Sequence, residues 1–140
     1  QKRAMKDIKR AVICIDDDPM ILQVLSFQME KYLDTSDTLI ELYTEPSKAL
    51  SDIKSRVFDD VAILFFIVDY QMPNISGAKF IRSIKETHPA IPCIMLSGQA
   101  NSSQIEALEN EGLLEMFMQK PWKESDLKGC LDQIKKRYEN

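Results

Sequence analysis

Short, mostly apolar runs alternate along this chain with longer stretches in which apolar residues recur at helical spacing. Ala11–Ile15, Thr38–Tyr43, Val61–Val68, Ile91–Leu96 and Glu115–Gln119 are the short runs, and each reads as a strand. Val61–Val68 shows no polar alternation, which predicts a strand covered on both faces in the middle of a parallel sheet. Pro92 stands near the start of the fourth run, where a missing N–H donor is tolerated.

The intervening stretches carry the helices. Ile21, Leu22, Leu25, Met29, Tyr32 and Leu33 mark one core face, and Asp18 before Pro19 is a suitable N-cap for it. Thr44 precedes a second start at Glu45-Pro46, with Ala49, Leu50 and Ile53 as its apolar positions. Ser76-Gly77 opens a third helix that buries Phe80, Ile81 and Ile84. Asn101 with Gln104 reads as a capping box for the fourth, and Gly112 is placed to end it. The fifth runs from Glu124 to Tyr138 with Leu127, Leu131 and Ile134 facing inward. Five strand–helix units with short connections predict an α/β fold: a doubly wound five-stranded parallel sheet with helices on both faces.

That fold gives meaning to the polar residues at the strand ends. Asp16 and Asp17 follow the first strand, Asp69 the third, Ser97 the fourth and Lys120 the fifth. Carboxyl ends of parallel strands share one edge of the sheet, which is where open α/β sheets hold ligands. Two carboxylates ~5 Å apart repel by roughly 3 kcal/mol at an effective dielectric of ~20, so three together need counter-charge. Lys120 supplies one cation. Oxygen-only ligands with room for water suit magnesium as the other. A free carboxylate beside magnesium, a lysine and a hydroxyl can attack phosphorus and become an aspartyl phosphate, with Asp69 as the nucleophile.

Composition narrows the alternatives. The chain has 140 residues, one domain's worth, with 44% hydrophobic and 29% charged residues. Eighteen basic against 22 acidic side chains leave a net charge of −4, without the basic footprint of a nucleic-acid binder. No apolar stretch approaches the ~20 residues that span a membrane, and no secretory signal is visible, so a cytoplasmic location is expected. Cys14, Cys93 and Cys130 match no zinc spacing and are expected to be reduced and buried. His88 is the only histidine, which argues against a histidine triad or a zinc site. Residues 1–9, rich in Lys and Arg, read as a lead-in or linker to a domain over 10–138.

Ile15-Asp16-Asp17-Asp18-Pro19, Val68-Asp69-Tyr70-Gln71-Met72-Pro73 with Gly77, Leu96-Ser97-Gly98 and Phe117-Met118-Gln119-Lys120-Pro121 together resemble the response-regulator receiver domain of two-component signalling, the CheY-like phosphoacceptor fold. The resemblance covers nearly the whole chain. It implies strand order 2-1-3-4-5 and Asp69 as acceptor of a phosphoryl group from a phosphohistidine, carried by a sensor histidine kinase or a histidine phosphotransfer protein. It implies magnesium held by Asp16, Asp17, Asp69 and the backbone carbonyl of Gln71, with Asp17 direct and Asp16 mostly through water. Ser97 would bind a phosphate oxygen and Lys120 would pair with Asp69. Phe117 would be the aromatic switch, and the 101–138 face would meet a downstream effector. Apart from that self-catalysed transfer, such a domain is not an enzyme.

The sequence departs from the family pattern at several positions. Phe117 stands where tyrosine is frequent, Trp122 where phenylalanine is commoner, and Gln71 and Gln99 occupy the two positions expected to tune dephosphorylation. The alternative is a pseudo-receiver that binds partners without phosphorylation. A haloacid-dehalogenase-type phosphohydrolase would want an acid where Gln71 stands.

Overall fold

The computed structural model describes residues 8–98 and 103–138. The basic Lys2, Arg3 and Lys6, Gln99, and the Asn101 end of the expected capping box lie outside the described residues. In chain order the elements are β1 (Arg10–Ile15), α1 (Pro19–Met29), β2 (Thr38–Tyr43), α2 (Pro46–Lys54), β3 (Ala62–Asp69), α3 (Gly77–Thr87), β4 (Cys93–Ser97), α4 (Ser103–Asn110), β5 (Met116–Gln119) and α5 (Glu124–Tyr138). The strands form one parallel sheet in the order β2-β1-β3-β4-β5. That is the expected doubly wound α/β architecture.

Strand alternation divides the core in two. Ala11, Ile13 and Ile15 of β1, Phe66 and Val68 of β3, and Cys93 and Met95 of β4 pack toward α2, α3 and α4. Val12, Cys14, Phe65, Ile67, Ile94 and Leu96 pack toward α1 and α5. All three cysteines are free and buried.

The helix starts follow local chemistry. Asp18 caps α1, its carboxylate accepting from the Met20 N–H at 2.9 Å. Ser76 caps α3 through the Lys79 N–H at 3.1 Å. Glu45 stands at the N-cap of α2, without a side-chain hydrogen bond there. Gly112, at φ +74°, follows the end of α4, and the Leu113 N–H closes the turn on the Leu108 carbonyl at 2.9 Å. That left-handed φ is what glycine supplies at a helix C-terminus.

Several boundaries move by a residue or two, with consequences for the site. Asp69 and Ser97 are the last residues of β3 and β4 rather than the first loop residues beyond them, and Pro92 precedes β4. The Val61 end of the third run is less covered than expected: Ala62 is exposed and Ile63 and Leu64 are half-buried. Ile21 on α1 and Tyr32 in the turn just beyond it sit at the edge of the buried face rather than in it. Ile8 is buried, and Lys9 exchanges backbone hydrogen bonds with Asp37 and Ala62, so packing reaches back into the basic lead-in.

Candidate functional site

Sheet register brings the strand ends together. Ile15 pairs with Val68, so Asp16 lies level with Asp69. Asp69 pairs with Leu96, and Ser97 with Gln119, so Ser97 and Lys120 each stand one residue further along. A register shift between Ala11 and Val12 skips Leu64 on β3 and thereby sets this alignment. It also places the consecutive Leu64 and Phe65 on the same side of the sheet.

Three of the converging side chains are almost removed from water. Asp16 is 0%, Asp69 5% and Ser97 2% exposed, while Asp17 is open to solvent. The Lys120 ammonium bridges two carboxylates, 2.8 Å from Asp16 Oδ2 and 2.8 Å from Asp69 Oδ1. The other Asp16 oxygen, Oδ1, accepts from the Asp18 N–H at 2.9 Å. Asp16 is thus an ion-pair partner of Lys120, a contact the sequence reading assigned to Asp69 alone.

Backbone contacts hold this arrangement. The Lys120 N–H donates to the Ser97 carbonyl, and the Tyr70 N–H to the Leu96 carbonyl, both at 2.8 Å. The Lys120–Pro121 peptide is cis. Gly77 fits where a side chain would not: a Cβ there would lie 2.2 Å from the Asp69 carbonyl oxygen. Its N–H donates to the Tyr70 carbonyl at 2.8 Å, so α3 begins directly against the end of β3.

The electrostatics are those of a buried anionic cluster with one fixed cation. Burial pushes the Asp69 carboxyl up from 3.8 to about 6. The Lys120 hydrogen bond pulls it down, and the charges of Asp16 and Asp17 push it up. Burial alone would lower the Lys120 ammonium, but its hydrogen bonds to Asp16 and Asp69 outweigh that and hold it above its ordinary value. Asp16, Asp17 and Asp69 each offer a carboxylate oxygen within 4.8 Å of the others, an all-oxygen set that could hold a hard divalent cation. Asp17 also lines a shallow cleft with Thr44, Glu45, Pro73 and Asn74.

Two of the expected site residues lie outside this cluster. Gln71 is exposed on the loop two residues after Asp69. Phe117 is half-buried on β5 and packs against the α2–α3–α4 side of the core. Sequence reasoning missed Gln28, whose side chain accepts a hydrogen bond from the Trp122 indole at 2.8 Å. A lone Gln on a periodic helix carries no signal of such a partner.

Comparison with known proteins identifies the family. A family profile described as "Response regulator receiver domain" matches residues 12–132. The response regulator protein TodT of Pseudomonas putida is 28% identical over 129 residues, which are 92% of this chain and 52% of that protein. The chain therefore spans about half the length of this curated relative. The receiver domain of an HD-domain-containing protein from Pseudomonas fluorescens superposes with a TM-score of 0.77 at 22% identity, covering 92% of this chain and 96% of that one. The isolated receiver domain of RcsB from Salmonella enterica, solved with the phosphomimetic BeF3−, superposes with a TM-score of 0.76 at 21% identity, covering 91% and 89%. Family profile, curated relative and shared fold lead to one conclusion: the chain belongs to the response regulator receiver domain family of two-component systems.

Proposed function

We propose that the chain is a phosphoacceptor switch in which Asp69 takes a phosphoryl group from a phosphohistidine. The supporting observation is the Lys120 ammonium fixed between the buried carboxylates of Asp16 and Asp69. An Asp69 oxygen forms the new P–O bond while the donor's P–N bond breaks, and the departing imidazole takes up a proton from solvent. The chain's task is to position the carboxylate and neutralise charge. Lys120, already beside Asp69, pairs with a non-bridging phosphoryl oxygen, and the Ser97 hydroxyl binds another. Asp16, Asp17, Asp69 and the Gln71 carbonyl would hold magnesium, which when bound would supply positive charge to the phosphoryl oxygens. Recruitment of Ser97 draws Phe117 inward and biases the 101–138 face toward an effector. The domain is a signalling switch whose only chemistry is on itself.

The donor is a sensor histidine kinase or a histidine phosphotransfer protein. Beside the pocket α1 exposes Met20 (69%), Val24 (42%) and Phe27 (66%), which share one side of the helix at spacings of four and three. An apolar helix face of this kind suits a helical partner that carries the phosphohistidine to the pocket mouth.

Transfer from a labelled phosphohistidine protein tests this reading. Label should pass to the chain only with magnesium present and should be released by hydroxylamine, as an acyl phosphate is. Label that resists hydroxylamine, or that survives Asp69→Asn, would rule the reading out.

A further inference from the structure

Lys120 has a flexible four-carbon stem, yet its ammonium must hold two carboxylates at once. Its backbone is anchored on one side by the hydrogen bond to the Ser97 carbonyl. On the other side Pro121 has no N–H to offer. The next anchor is the Trp122 indole, which packs beside the α1–α5 core and donates to Gln28 Oε1 at 2.8 Å. That bond lies in a groove whose other walls are Ile21, Val24, Lys120 and Pro121. Two residues on, Glu124 accepts from the Tyr32 hydroxyl at 2.5 Å and from Lys31 at 3.1 Å, so α1 and the chain just beyond it also hold the start of α5.

These contacts close a circuit. Asp16 leads through Asp18 into α1, Gln28 of α1 holds Trp122, Trp122 fixes the segment carrying Lys120, and Lys120 returns to Asp16. We propose that Gln28 and Trp122 are positioning residues for Lys120: their hydrogen bond removes the slack that would let the ammonium drift from Asp69. The link to phosphotransfer rests on the function proposed above, but the positioning role does not require it.

The test uses the magnesium-free chain and reads the exchange of the Lys120 ammonium protons with water by NMR. Trp122→Phe removes the donor and keeps an aromatic ring. Gln28→Met keeps length and loses the acceptor, and Gln28→Glu restores an acceptor. Exchange should be about fivefold faster in Trp122→Phe and Gln28→Met, the factor expected for one net hydrogen bond. It should be no faster in their double variant and close to wild type in Gln28→Glu. Unchanged exchange in both single variants, even with a lower melting temperature, would overturn the proposal. So would a Gln28→Glu variant that exchanges as fast as Gln28→Met. Phosphorylation by acetyl phosphate and by a phosphohistidine protein, both with magnesium added, is measured alongside. A wild type that takes no phosphoryl group removes the Asp69 reading and leaves the exchange rates to decide the positioning role. A wild type that is phosphorylated while exchange stays unchanged removes the positioning role alone.

Discussion

Burial sets the acidity of Asp69, and that has a measurable sign. Its carboxyl sits at about 6 in the fold against 3.8 ordinarily. The fold therefore favours the protonated form, a contribution complete below 3.8 and lost as the pH rises through 6. At pH 7 the ionised group is a cost on the order of 3 kcal/mol. Asp69→Asn should stabilise the magnesium-free chain by about that much at pH 7, with the gain shrinking toward zero by pH 4, as read by denaturant titration at several pH values. A gain that did not depend on pH would contradict it. Gly77→Ala tests sterics: with a Cβ 2.2 Å from the Asp69 carbonyl, the β3–α3 junction must shift. A loss of about 2 kcal/mol or more is expected, since overpacking typically costs 1–3 kcal/mol. Residue types made Asp69, Ser97 and Lys120 legible in the sequence, because an acid, a hydroxyl and a cation at strand ends suggest phosphate chemistry. The Lys120–Asp16 pair and the Gln28–Trp122 bond were not legible. Both join residues about a hundred positions apart through side-chain geometry that no spacing encodes.

At the level of elements, the strands were legible because each is a mostly apolar run bounded by polar turns, and the helices because their apolar positions recur. The register shift that skips Leu64 was hidden, since an unbroken apolar run looks the same in either register. Without the shift, Asp69 would fall out of line with Asp16 and point to the other face. The helix α1 shows a second limit. Its periodicity marked Leu22, Leu25 and Met29 correctly, but the exposed Met20, Val24 and Phe27 are just as apolar and belong to no core. Met20→Ala combined with Phe27→Ala should slow phosphotransfer from a protein donor about tenfold while leaving acetyl phosphate kinetics and stability nearly unchanged. Equal slowing with both donors would assign those residues to the chemistry rather than to docking.

At the scale of the whole molecule, the sheet gathers charge that folding alone would avoid. Three acids share one edge with a single lysine, in a chain already at −4. Magnesium binding should therefore raise stability, by about 2.7 kcal/mol at a hundredfold excess over its Kd. Asp17→Asn, at an exposed position, should keep the fold and lose most of that rise in a thermal melt; a full rise in Asp17→Asn would remove Asp17 from the metal set. Among the described residues no helix is long and apolar enough to cross a membrane. The central claim, that Asp69 is the phosphoacceptor, is tested most directly by intact mass with peptide mapping after exposure to acetyl phosphate, with and without magnesium. Wild type should gain one phosphoryl group, on Asp69, only with magnesium, and Asp69→Asn should gain none. A phosphoryl group on another residue, or none on a folded chain that binds magnesium and is also offered a phosphohistidine donor, would contradict it.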